Sequence, residues 1–205
     1  MKTETISTKH PSAIQHAFDV LKRNGLVAFP TDTVYGLAAP AFNQDSIDRL
    51  YAVKGRNHTK AIAILISKLE QLEQVAVDIP DKARCLAEHF WPGPLTMVLK
   101  RHPSLPKILA PEPTIGVRIP DHLDALALMD FTGPLAVTSA NLSGQQPASS
   151  AKEVLDQLKG RVHLILDGGP APCGVPSTIV NCMTTSLEVL REGPLSLNDL
   201  LKVLP

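Results

Sequence analysis

The stretch FPTDTVYGLAAPAFNQDSIDRLYAVKGR, residues 29–56, decides how the rest of the chain is read. An apolar run from Leu26 to Phe29 meets Pro30, which has no N–H to give a ladder and so ends or edges a strand. Thr31 and Thr33 alternate with Asp32, and in extended backbone both hydroxyls would point to one side. Tyr35 and Gly36 follow, the glycine permitting a close backbone approach, and an amphipathic helix then runs into Lys54-Gly55-Arg56. One strand–helix unit thus gathers two hydroxyls and two positive charges, a set that suits an anionic small molecule. The same three residues also read as an ordinary helix end, since lysine complements the macrodipole and glycine is a common C-cap.

The composition bounds what this unit can belong to. A chain of 205 residues with 44% apolar content is enough for one well-cored domain, and it reads as a single domain, 1–205. Aromatics make up only 4%, so the core must be aliphatic. Twenty basic residues balance twenty acidic ones, which argues against a general basic field for nucleic acid but leaves room for a local basic cleft. Three cysteines with no CxxC spacing and seven scattered histidines give no zinc signature, so no metal site is expected. The N-terminus has no apolar signal segment and no apolar run nears membrane-spanning length, so a cytoplasmic protein is expected.

Periodicity then orders the elements. A helix carrying Ile14, Ala17, Phe18 and Leu21 opens at Pro11-Ser12, and strands are expected at 26–29 and 34–39. Asp45 or Ser46 is expected to cap the next helix, which buries Ile47, Leu50 and Tyr51. The aliphatic run 61–66 reads as a central strand, and Pro80 opens a helix that Trp91-Pro92-Gly93-Pro94 stops. Strands follow at 95–100, 114–119 and 135–139, with helices at 123–129, from a Ser150 cap, and at 196–204. The four prolines of 102–113 suggest a surface loop, and further strands are expected near 162–167, 177–182 and 187–191. Irregular alternation of this kind favours an α/β domain with a mixed twisted sheet.

No P-loop, dinucleotide fingerprint or Gly-x-Ser-x-Gly elbow is present, so a nucleotide would have to be held by dispersed side chains and amides. Ser139-Ala140-Asn141 stands just past an apolar strand, where binding residues of α/β sheets tend to sit, and it also reads as a plain turn leading to Gly144. Together, PTDTVYGL (30–37), KGR (54–56), FWPGPLTMVL (90–99), VRIPDH (117–122), SANLSG (139–144) and GVPSTIV (174–180) resemble the YrdC-like family, best known for threonylcarbamoyl-adenylate synthases. The resemblance implies a mixed sheet curved around a cleft with flanking helices. It implies a catalytic tetrad of Lys54, Arg56, Ser139 and Asn141, and nucleotide contacts from Arg56, Lys60, Thr114, Asn141, Ser149 and Arg191. It also implies that Thr33, Arg118, Ser139 and Ser177 hold L-threonine, with a structural ion-pair partner the lesser alternative for Arg118.

The implied reaction joins L-threonine, bicarbonate or carbon dioxide, and ATP with Mg2+, releasing pyrophosphate. Its product would pass to a downstream tRNA threonylcarbamoyl transferase complex. Positions 60, 61 and 65 depart from the family pattern: Lys60 stands for a frequent asparagine, Ala61 for a proline, and Leu65 for a histidine of longer members. Those longer members carry a second C-terminal domain. Two other classes compete, an RNA-binding module with weak, salt-dependent affinity and a carbamoyl-transfer domain of the hydrogenase-maturation type.

Overall fold

A computed structural model describes residues 2–204. The elements in chain order are β1 (Glu4–Ser7), α1 (Ala13–Lys22), β2 (Val27–Phe29), β3 (Gly36–Pro40), α2 (Gln44–Lys54) and β4 (Ala63–Leu65). Then come α3 (Leu72–Val75), β5 (Ala76–Val77), α4 (Asp81–Phe90), β6 (Leu95–Arg101), β7 (Thr114–Arg118) and α5 (Leu123–Thr132). The last are β8 (Leu135–Ser139), α6 (Ala151–Leu158), β9 (Leu164–Asp167), β10 (Thr178–Asn181), β11 (Glu188–Arg191) and α7 (Leu197–Leu201).

The strands form one mixed sheet in the order β1-β9-β2-β3-β8-β4-β7-β6-β10-β11, with β5 beside β6. Pairs β1–β9, β2–β9, β4–β7 and β6–β10 are parallel, and the other pairs are antiparallel. This is the mixed α/β architecture that the irregular alternation suggested.

Register decides which residues share a face. One face carries Ala28, Leu37, Ile64, Met97, Val117, Ala136 and Val180 into a continuous aliphatic core under α2, α4 and α6. The opposite face is divided. At the β9-β2-β3-β8 end, Val27, Phe29, Ala38, Leu164 and Leu166 pack beneath α1 and α5. Farther along, the helices stop and that same face is open. The ladder pairs Gly36 with Ser139, Leu65 with Arg118, Thr96 with Ile179 and Ile179 with Arg191. Opposed residues in a ladder point to the same side, so these residues floor one cleft.

Several local expectations are corrected. Asn43, not Asp45 or Ser46, caps α2, its side chain accepting from the Ser46 amide. The 61–66 run is central, between β8 and β7, but only Ala63–Leu65 pairs as strand. The proline-rich 102–113 segment is not merely surface: Leu105, Leu109 and Ala110 are buried, and the Tyr51 hydroxyl reaches the carbonyls of Ile108 and Leu109. Strand β1 was not foreseen, because this edge strand is almost wholly exposed and has no apolar alternation to read. No described helix is long and apolar enough to cross a membrane.

Candidate active site

The open part of the sheet is a cleft of about 310 Å³ lined by Thr33, Arg56, Arg118, Ser139, Asn141, Ser177 and Arg191, among others. Seven of the residues singled out in the sequence therefore meet at one place. The other four do not line it. Lys54 lies beneath it, Lys60 is exposed, Thr114 sits two residues before Gly116 on β7, and Ser149 stands just before α6.

Residues 32–34 form a bend, and β3 begins only at Gly36, so alternation along a strand is not what brings Thr31 and Thr33 together. Thr31 Oγ1 donates to the Val34 carbonyl at 2.6 Å, closing the turn, and lies 3.0 Å from Thr33 Oγ1. Gly36 then passes so near β8 that an added Cβ would sit 2.8 Å from Val137 Cγ1. Tyr35 anchors the neighbouring loop: its hydroxyl donates to the Gly169 carbonyl at 2.7 Å, and burial pushes its pKa to about 12. The Cys173 amide donates to the Asp32 carbonyl at 3.1 Å, so the 168–174 loop borders the site, whereas the 102–113 segment supplies none of its lining.

Arg118 is almost completely buried at the C-terminal end of β7. Its guanidinium donates to the Gly93 carbonyl at 2.9 Å, to Thr33 Oγ1 at 2.8 Å and to the Asp32 carboxylate. Arg118 is thus an ion-pair partner of Asp32 and also lines the cleft. Burial lowers the Arg118 pKa while Asp32 raises it, an ion pair holding charge in a dry place. At the other wall, Arg191 donates twice to the Ser177 carbonyl, and Thr96 Oγ1 lies 2.8 Å from Ser177 Oγ. Thr31, read from sequence only as one of two hydroxyls beside the charges, also lines the cleft, and Thr96 was not named from sequence at all. For Thr96, the signal was a lone hydroxyl inside the apolar run of β6.

Helix α2 ends in a left-handed Gly55, so the C-cap reading of Lys54-Gly55-Arg56 is realised together with the cleft. Beyond it, Arg56 donates to the Lys60 carbonyl at 3.1 Å and the Ala61 carbonyl at 2.7 Å. Lys60 thus contributes its backbone, not its ammonium, to this corner. Lys54 is 2% exposed and donates to the Ser139 and Asn141 carbonyls. Burial first, and Arg56 second, bring its pKa down to about 7, while the two carbonyls favour the charged form. Asn141 Nδ2 donates to the Leu142 and Gln145 carbonyls, which leaves a buried Oδ1 with no partner among the described residues.

Three guanidinium groups and a set of oriented hydroxyls line a cleft whose lining includes no carboxylate. Chemically this is a site suited to anionic small molecules. The sequence profile of the Sua5/YciO/YrdC family, described as telomere recombination, matches residues 19–193, and the chain belongs to that family. It is 41% identical over 194 residues to threonylcarbamoyl-AMP synthase of Bacillus subtilis, covering 93% of this chain and 56% of that one. To the enzyme of the same name from Pyrococcus abyssi it is 39% identical over 193 residues, 93% of this chain and 57% of that one. The crystal structure of P. abyssi Sua5 complexed with L-threonine superposes with a TM-score of 0.94 at 36% identity, covering 99% of this chain and 61% of that one. The chain therefore spans a little over half the length of these relatives.

Proposed function

We propose that this chain forms threonylcarbamoyl-AMP from L-threonine, bicarbonate or carbon dioxide, and ATP, releasing pyrophosphate. The observation that carries the reading is the convergence of Arg56, Arg118 and Arg191 on one cleft floored by hydroxyl side chains, in a chain of this family. In this reading the α-carboxylate of threonine meets Arg118, with Thr33, Ser139 and Ser177 around the rest of the amino acid. The free amine captures carbon dioxide, and the carbamate oxygen attacks the α-phosphate as pyrophosphate leaves. Nucleophile and electrophile both belong to substrates, so the protein contributes positioning and charge stabilisation.

Arg56 and Arg191 act on the phosphates, and the unpaired Oδ1 of Asn141 accepts from a nucleotide donor. Lys54 acts from below by holding the Ser139–Asn141 turn. Thr114, Ser149 and Lys60 touch the nucleotide only if its base or phosphates extend past the cleft lining. Magnesium enters bound to the triphosphate as part of the substrate, since the donors facing the cleft are hydroxyls, amides and guanidinium groups. Among the described residues no cluster of His, Cys, Asp and Glu is placed to hold a metal. The product then serves a transferase that modifies the adenosine beside the anticodon of tRNA.

The test is pyrophosphate release by the purified protein with each substrate omitted in turn. Release that requires threonine, bicarbonate and ATP together is expected. ADP as the nucleotide product, or release indifferent to threonine, would overturn the reading.

A further inference from the structure

The hydrogen inventory around Thr33 carries one step more. Thr31 Oγ1 sits 2.6 Å from the Val34 carbonyl, which can only accept, so the single hydroxyl hydrogen of Thr31 is committed there. The oxygen of Thr31 is then an acceptor to everything else, and it takes the Thr33 amide at 3.2 Å. Thr33 Oγ1, 3.0 Å away, gives its own hydrogen to Thr31, because two oxygens facing each other without a proton would repel. Arg118 has no acceptor and donates to Thr33 Oγ1 at 2.8 Å, which uses one lone pair. One lone pair remains on Thr33, and no hydrogen.

We infer that Thr31 is a positioning residue that sets the polarity of the cleft, making the Thr33 hydroxyl an acceptor-only group toward the substrate. The inference rests on the reading of threonine as substrate and adds to it a rule. The ligand group that meets Thr33 must be a hydrogen-bond donor, such as a side-chain hydroxyl, and an ether or a fluorine of similar size is refused. A buried polar group left without its partner discriminates far more strongly than a methyl group does.

The test compares kcat/KM for L-threonine with that for 2-amino-3-methoxybutanoate and 2-amino-3-fluorobutanoate, by pyrophosphate release with ATP and bicarbonate. In the unaltered protein both analogues should fall behind threonine by about 100-fold or more. Thr31→Val frees the Thr33 hydrogen to turn toward the ligand, and the threonine-to-methoxy ratio should shrink at least tenfold. Thr31→Ser keeps the oxygen and should keep the native ratio. A merely structural role for Thr31 would lower all three substrates together and leave the ratio unmoved, which would overturn the inference. So would equal use of the fluoro analogue and threonine by the unaltered protein, a measurement that needs no variant to fold. Failure of threonine itself to support release would instead sink the proposed function.

Discussion

Lys54 donates to the backbone carbonyl of Asn141, the residue whose side-chain oxygen is buried at the cleft without a partner among the described residues. A charge on the last turn of α2 thereby holds the turn that follows β8. Its ammonium is a tie between two elements, and in the proposed reaction it would act through the turn it holds. While the Ser139 carbonyl keeps the Asn141 amide at 3.0 Å, Lys54→Ala should leave the buried Asn141 carbonyl without a donor, at about 1–3 kcal/mol. It should also slow turnover by about 30-fold to 1000-fold as the turn relaxes, equivalent to about 2–4 kcal/mol of transition-state stabilisation. Urea titration and steady-state kinetics measure the two effects; a variant with native stability and slow turnover would show that the ammonium acts on substrate directly.

The same burial gives a pH dependence. The ordinary lysine pKa of 10.5 falls to about 7 at Lys54 in the folded chain. Between those values the unfolded chain binds more protons at this site, so its contribution makes stability rise with pH from about 7 to 10.5. The native protein should gain stability from pH 7.5 to 9.5 relative to Lys54→Met, as read from urea midpoints at both values. Parallel curves would show that the two carbonyls keep Lys54 charged throughout.

Arg56→Lys retains charge and loses the planar fork that spans the Lys60 and Ala61 carbonyls. Turnover should drop by about 30-fold or more with little change in melting temperature, because the guanidinium is only half-buried. Near-native turnover in this variant would reduce Arg56 to a cap of its loop.

Asp32→Asn leaves the Arg118 guanidinium buried without its counter-charge, and breaking such a pair costs about 3–5 kcal/mol. The KM for threonine should rise more than kcat falls, since Arg118 loses its orientation before the chemical step. An unchanged KM would separate the ion pair from substrate binding.

Leu65 is opposed to Arg118 in the β4–β7 register and lines the cleft with an aliphatic side chain. In the proposed reaction, choice of threonine over serine would lean on one methyl group, worth about 10-fold to 200-fold in kcat/KM. Serine should be a measurable poor substrate, and Leu65→His should change that ratio. A native preference far beyond 1000-fold, on the order of what a buried polar contact gives, would contradict this account.

How much of this was legible in the chain follows from the range of the forces involved. Helices announce themselves locally: Ala17 and Leu21 of α1, and the Ser150 cap of α6, stand where spacing put them. The motif residues Thr33, Arg56, Arg118, Ser139, Asn141, Ser177 and Arg191 were visible as residue types, and the cleft gathers all seven. The tie from Lys54 to the Ser139–Asn141 turn was not legible, because nothing local shows that α2 ends beside the turn after β8. Asn43 was passed over as a cap because Asp45 and Ser46 are equally good capping types two or three residues on. Thr31 and Thr33 were paired by an extended alternation that the bend replaces, so the conclusion survived with a different geometry. The pairing of β6 with β10 joins residues about eighty apart in sequence, and no local pattern carries it.

The ladder that floors the cleft also constrains how this chain can change length. Every floor residue is held at one parity along β3, β4, β6, β7, β8 and β10. Deleting a single residue within β7 would rotate Arg118 into the aliphatic layer and lift Val117 into the cleft. The strands can therefore drift only by exchange of side chains, while gains and losses of length are confined to the connections between them. The binding surface is in that sense a text with fixed line breaks, open to respelling and closed to insertion.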